Sequence, residues 1–184
     1  MKKILAFIIF LSSSVHAGVL IEPVAGYSVG GKFDISDGKN YTGTGASYGG
    51  RLGYQNLGFQ LGLDYLHSSI DLGSDDFDSN LSLDEFGGFV GFEFPILLRA
   101  YAGYTFSASG KTKYDNGTTG MKDTEFKKGA GPKFGIGFTG LPFLVINLEY
   151  RSGKFSEYEI DGTKQEGDIT YSSYLVSVSL PITL

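Results

Sequence analysis

From Val19 to the last residue, apolar and polar residues alternate with a period of two in eight separate stretches. Successive side chains of a strand point to opposite faces, so each stretch makes one apolar and one polar face. The 3.6-residue repeat of an amphipathic helix is nearly absent. Phe59, Leu61, Leu63 and Tyr65 interleave with Gln60, Gly62 and Asp64, and Leu144, Ile146, Leu148 and Tyr150 interleave with Val145, Asn147 and Glu149. The same parity holds for Tyr48–Tyr54, Phe86–Phe94, Leu98–Phe106, Phe134–Phe138, Tyr174–Ile182 and, at the start, Val19–Val29. The expected strands are about ten residues long, the length a tilted membrane-spanning strand needs.

The connections are sorted by length. Three are short, around Asn56-Leu57, around Pro95-Ile96, and Gly140-Leu141-Pro142. Four are long and polar: Asp34–Ala46, Ser69–Leu81, Ser109–Lys127 and Ser156–Asp168. Eight strands joined this way put every short turn and both termini on one side, the periplasmic pattern of outer-membrane barrels, and every long connection on the other. The expected fold class is therefore all-β, an eight-stranded antiparallel up-and-down transmembrane β-barrel over residues 18–184. A soluble lipocalin-like barrel, with the apolar face inward, is the alternative.

Three features favour the membrane orientation. Tyr27, Tyr54, Tyr65, Tyr150 and Tyr174 sit near strand ends on the apolar face, as an interfacial girdle does. The polar face is mostly Gly, Ser and Thr, which suits the narrow interior of an eight-stranded barrel. Glycine, at 28 residues, is about twice its usual share, and much of it falls on that face. The polar-face charges also nearly balance. Glu22, Asp64, Glu85, Glu93 and Glu149 stand against Arg51, Arg99, Lys133 and Arg151, and enclosed charges must pair. These nine residues are the expected lumen charge network, a structural plug. Glu93 and Arg99 flank one short turn and are expected close together at the periplasmic end. The same charges lining a wet channel is the alternative reading.

Residues 1–17 form a charged start at Lys2-Lys3, an apolar run from Ile4 to Leu11 and a small-residue end at Val15-His16-Ala17. This is the layout of a cleaved secretory leader, with a core too short to span a bilayer. There is no cysteine, which excludes a disulfide framework, thiolate zinc and a Cys nucleophile. The formal net charge of −5 speaks against nucleic acid as a partner.

On this architecture the chain resembles the small eight-stranded outer-membrane β-barrels of Gram-negative bacteria: the OmpA transmembrane domain, OmpX and opacity-type outer membrane protein β-barrel domains. The resemblance covers Gly18 to Leu184 and rests on leader, strands and loop sorting rather than on a short motif. It implies a location in the bacterial cell outer membrane and a structural or surface-interaction role through four extracellular loops, without catalysis. The implied partners are outer-membrane lipids, lipopolysaccharide and the barrel-assembly machinery, and the expected state is a monomer. No peptidoglycan-binding domain is expected after Leu184. Such chains usually end in Phe or Trp; here the alternating tail ends in Leu184, with Pro181 interrupting the other parity.

A narrow passive pore is the first alternative function. An outer-membrane lipid-modifying enzyme is the second, since some small barrels are lipid A deacylases or palmitoyltransferases, which implies a His-based site near the outer rim. His67 is the one His after the leader. Ser69 can share its face, and Asp71 or Glu85 are candidate orienting groups. No catalytic, cofactor or metal residue is expected: the acidic Asp75-Asp76 and Asp78 lack the spacing of a calcium loop. Gly43-Thr44-Gly45 and Gly129-Ala130-Gly131 lack the Lys of a phosphate loop. Asn116-Gly117-Thr118 reads as a plain turn.

Overall fold

The computed structural model describes residues 17–35, 39–74, 77–114, 124–160 and 162–184. The strands are β1 (Gly18–Ile35), β2 (Lys39–Asn56), β3 (Phe59–Ser74), β4 (Phe77–Phe94), β5 (Leu98–Tyr114), β6 (Thr124–Leu141), β7 (Leu144–Ile160), β8 (Thr163–Ser179) and the two-residue β9 (Ile182–Thr183). Each of the first seven pairs antiparallel with its successor, and β1 pairs with both β2 and β8, which closes a ring. Closure matters because lipid offers no partner for backbone N–H and C=O groups. Pro181 ends β8, and β9 resumes the pairing on the far side, Ile182 opposite Ile21 and Thr183 opposite Leu20. The tail is thus kept in the wall despite the proline. No helix among the described residues is long and apolar enough to cross a membrane. Residues 1–16 of the expected leader and the acidic pair Asp75-Asp76 lie outside the described residues, as does Asn116-Gly117-Thr118.

The strands are longer than the expected ten residues: they run 16 to 18. Most of the four segments expected as loops is ladder instead, with Gly43 opposite Leu72, Leu81 opposite Thr112 and Glu157 opposite Glu166. The backbone of Asp78 likewise belongs to β4. A bilayer limits only the height over which the outer face must be apolar. The hydrogen-bonded ladder can continue above it wherever the interior remains filled.

What fills it is an inversion of polarity. In the lower part of β3, Phe59, Leu61, Leu63 and Tyr65 face outward and Gln60 and Asp64 inward. In the upper part, Asp71 faces outward while Leu66, Ile70 and Leu72 are buried. The upper interior is a packed apolar cluster of Phe33, Ile70, Leu72, Leu81, Leu83, Ala108, Phe126, Phe155, Ile169 and Tyr171. The barrel is membrane-type below and soluble-type above. The outer apolar stretch covers Phe86–Phe94 on β4 and Leu98–Phe106 on β5. Those lengths match a tilted membrane strand of about nine to eleven residues.

Three strands need a β-bulge to achieve the switch, because a one-residue slip exchanges the two faces. On β1 the register shifts between Ser28 and Gly31, which sends Phe33 inward and Lys32 outward. On β5 it shifts after Thr105, so Ala108 turns inward. On β6 Lys128 adopts a left-handed φ of 55°, and Phe126 is buried where unbroken alternation would bury Lys127. The short turns are tight: Asn56 pairs with Phe59 across Leu57 and Gly58, both with positive φ, as the twist of a two-residue hairpin requires.

Phe155→Ala removes the centre of the upper cluster and is expected to cost about 3–5 kcal/mol locally. Hydrogen exchange should then speed up above the bulges while the lipid-embedded ladder stays protected.

Candidate functional site

The lower lumen is filled by charge. Arg51 reaches Glu149 at 2.9 Å and Glu22 at 3.4 Å. Arg99 also binds Glu22, and Arg151 binds both Glu149 and Glu85. The result is a continuous ionic chain from Arg99 through Glu22, Arg51, Glu149 and Arg151 to Glu85, contributed by five of the eight strands. A separate pair, Lys133 with Asp64, lies beside it. Eight of the nine residues named from the sequence come together here, four acids and four bases, each less than a tenth exposed. Glu93 stays apart. It faces Arg99 in the ladder, but no ion pair joins them, since Arg99 turns inward to Glu22, Asn147 and Ser179. Half-buried at the periplasmic mouth, Glu93 keeps access to water.

Neutral side chains complete the packing. The Arg51 guanidinium stacks over the Tyr101 ring at 4.3 Å, and the Tyr171 hydroxyl donates to Glu85 at 2.8 Å. The hydroxyls of Ser28, Ser47 and Ser68 form a ladder with steps of 2.9 and 2.8 Å, and Gln60 donates to Gln55 near the bottom. The glycines make room for these groups. A Cβ at Gly135 would lie 2.1 Å from the Tyr101 ring, and one at Gly87 would lie 2.8 Å from the Lys133 ammonium. Sequence parity identifies the charges. It does not identify Tyr101, Tyr171 or Asn147 as their partners, because those contacts cross the lumen between distant strands.

His67 faces outward at the upper edge of the apolar band. Its Nδ1 lies 2.9 Å from Asp84 Oδ1, which also accepts a 2.6 Å hydrogen bond from the Tyr65 hydroxyl. The Tyr48 ring packs beside the imidazole at 5.1 Å. The carboxylate is therefore Asp84, directly opposite His67 on β4, rather than Asp71 or Glu85. Asp71 accepts from Asn80, and Glu85 points into the lumen. Ser69 shares the outward face but makes no hydrogen bond to His67. Higher on the outer wall, Ser82, Asp84, Ser109, Lys111, Glu125 and Lys127 line an open concavity of about 520 Å³. Hydrogen bonds from Lys111 and Lys127 hold the exposed Glu125 carboxyl below the usual carboxylate range. Such exposed pairs contribute little to stability. Among the described residues no cluster of His, Asp and Glu is arranged to hold a metal.

Residues 4–180 match the family model described as outer membrane protein beta-barrel domain. Among solved structures, Neisserial surface protein A is similar at 16% identity and a TM-score of 0.59, over 90% of this chain and 98% of that one. Ail, the attachment invasion locus protein of Yersinia pestis, is similar at 12% identity and a TM-score of 0.62, over 91% and 100%. OprG from Pseudomonas aeruginosa is similar at 8% identity and a TM-score of 0.50, over 91% and 97%. At these identities the likeness establishes the fold. No curated protein sequence matches the chain.

Glu149→Ala leaves Arg51 and Arg151 buried with one partner fewer and is expected to destabilise the barrel by about 3–5 kcal/mol. Glu93→Ala should change stability by less than about 1 kcal/mol. Urea unfolding of the detergent-solubilised barrel, followed by the heat-dependent shift in gel mobility, compares the two.

Proposed function

Because the chain belongs to the outer membrane protein beta-barrel domain family and resides in the bacterial outer membrane, we propose that it is a sealed, monomeric barrel. Its role is structural or surface-interactive, through the extracellular ends of its strands and their four connections. The observation that carries this reading is the filled lumen: ion pairs in the lower part and a packed apolar cluster above. A solute path would have to break both. Surface contact suits the upper barrel, whose outer wall is polar and whose fold is held from inside, so that its outer residues vary without cost to the core. In this non-enzymatic reading His67 is part of the outer-wall contact with Asp84, which also accepts from Tyr65.

Residues 1–17 act as the cleaved leader in this proposal. In support, β1 begins at Gly18, and a Cβ there would lie 2.1 Å from the carbonyl oxygen of Leu184, so the start of the strand is seated tightly against the tail. Lipopolysaccharide and outer-membrane lipids are the partners of the apolar band, and the assembly machinery reads the final strand.

Planar-bilayer recording on the purified barrel is expected to give no stable single-channel conductance; a reproducible open level would establish the pore instead. Mass measurement of the outer-membrane form should give a chain that starts at Gly18.

A further inference from the structure

The outer wall has one feature that the sealed lumen leaves unused. An apolar groove of about 370 Å³ runs over β1, β2, β3 and β4, walled by Ile21, Pro23, Leu52, Leu63, Tyr65 and Phe86. Its floor is Gly50, which lies between Pro23 and Tyr65 in the ladder. The backbone does not demand glycine there. A Cβ at Gly50 would meet nothing nearer than 3.5 Å, whereas one at the neighbouring Gly49 would lie 2.0 Å from a backbone oxygen. The missing side chain therefore serves only to keep the groove open on the lipid-facing surface.

The groove leads upward to Tyr65 and Phe86, and the next outward residues on the same two strands are His67 and Asp84. An apolar channel at acyl-chain depth thus ends at a polar group on the extracellular edge of the band. Asp84 accepts from Tyr65 and contacts His67 Nδ1. The Asp84 carboxylate, nearly half exposed, keeps acceptor capacity whichever nitrogen of the His67 ring carries the proton. The site offers acceptors and so calls for a ligand with donors where its chains attach. Glycerophospholipids carry ester carbonyls at that level, which only accept. Lipid A carries amide N–H and hydroxyl donors there, and it belongs to the outer leaflet.

We propose that the groove over Gly50 holds an acyl chain of one lipid A molecule, with a donor of its amide or hydroxyl groups on the Asp84 carboxylate. The proposal rests on the membrane orientation of the apolar band under the proposed function, with the groove continuous with that lipid-facing surface.

Native mass spectrometry of the full mature barrel in detergent, titrated in parallel with lipid A and phosphatidylethanolamine, tests the site. One lipid A is expected to bind in preference to phosphatidylethanolamine. Gly50→Leu, which fills the groove without a backbone clash, should weaken lipid A binding about tenfold, roughly the loss of one well-buried apolar contact. Asp84→Ala should bring lipid A down to the level of phosphatidylethanolamine. Ala102→Leu, outward on the distant β5, should change neither. Equal lipid A binding by Gly50→Leu and the unaltered chain would overturn the site, as would equal binding of the two lipids. A barrel that folds but fails to enter proteoliposomes would overturn the membrane orientation itself, and the site with it.

Discussion

A sheet inside a bilayer cannot leave an edge unpaired, because each orphaned N–H or C=O in hydrocarbon costs several kcal/mol. Pairing of β1 with β8 meets that constraint, and the other features of the molecule follow from it. Closing eight strands fixes a lumen wide enough for side chains and little more. Whatever faces inward must then fill that space without leaving charge unpaired. The glycines and the long charged side chains are two halves of one solution: Gly87, Gly103, Gly135 and Gly137 leave the volume that Lys133, Tyr101 and Arg99 occupy. A buried ionic chain of this kind is weak evidence for stability in itself, since desolvation offsets much of the attraction. Its effect is on register. Each arginine meets carboxylates from other strands, so a slipped strand would bury charges without partners.

The same closed ring carries two opposite polarity schemes in series. Below, lipid is the apolar phase and lies outside; above, the apolar phase must be made by the protein and lies inside. The bulges on β1, β5 and β6 occur where one scheme gives way to the other. Each absorbs one residue and so returns Phe33, Ala108 and Phe126 to the interior. The rim between the two regimes is also where Tyr48, Tyr65, His67 and Asp84 gather, each with an apolar body or neighbour below and polar surroundings above.

Period-2 alternation in eight stretches determined the fold class, the strand order and the lipid-facing side of the lower barrel, because parity is local and survives without knowledge of any partner. It also singled out the eight charges that are buried in the lumen, together with Glu93, which lies half-buried at its mouth. It did not reveal the length of the strands. Segments such as Ser69-Ile70-Asp71-Leu72 alternate too, but with the opposite polarity outward, and their overall hydrophilic character reads as loop. Nor did it reveal the bulges, which break parity between Ser28 and Gly31, after Thr105 and at Lys128.

The sequence by itself settled which residues face inward in the membrane and that their charges nearly cancel. The tertiary structure decided who meets whom. Arg99 leaves its ladder neighbour Glu93 for Glu22 on β1, and His67 takes Asp84 rather than Asp71 or Glu85. Both choices depend on cross-lumen distance and on which face of the adjacent strand is in register. Those quantities exist only once the ring is closed.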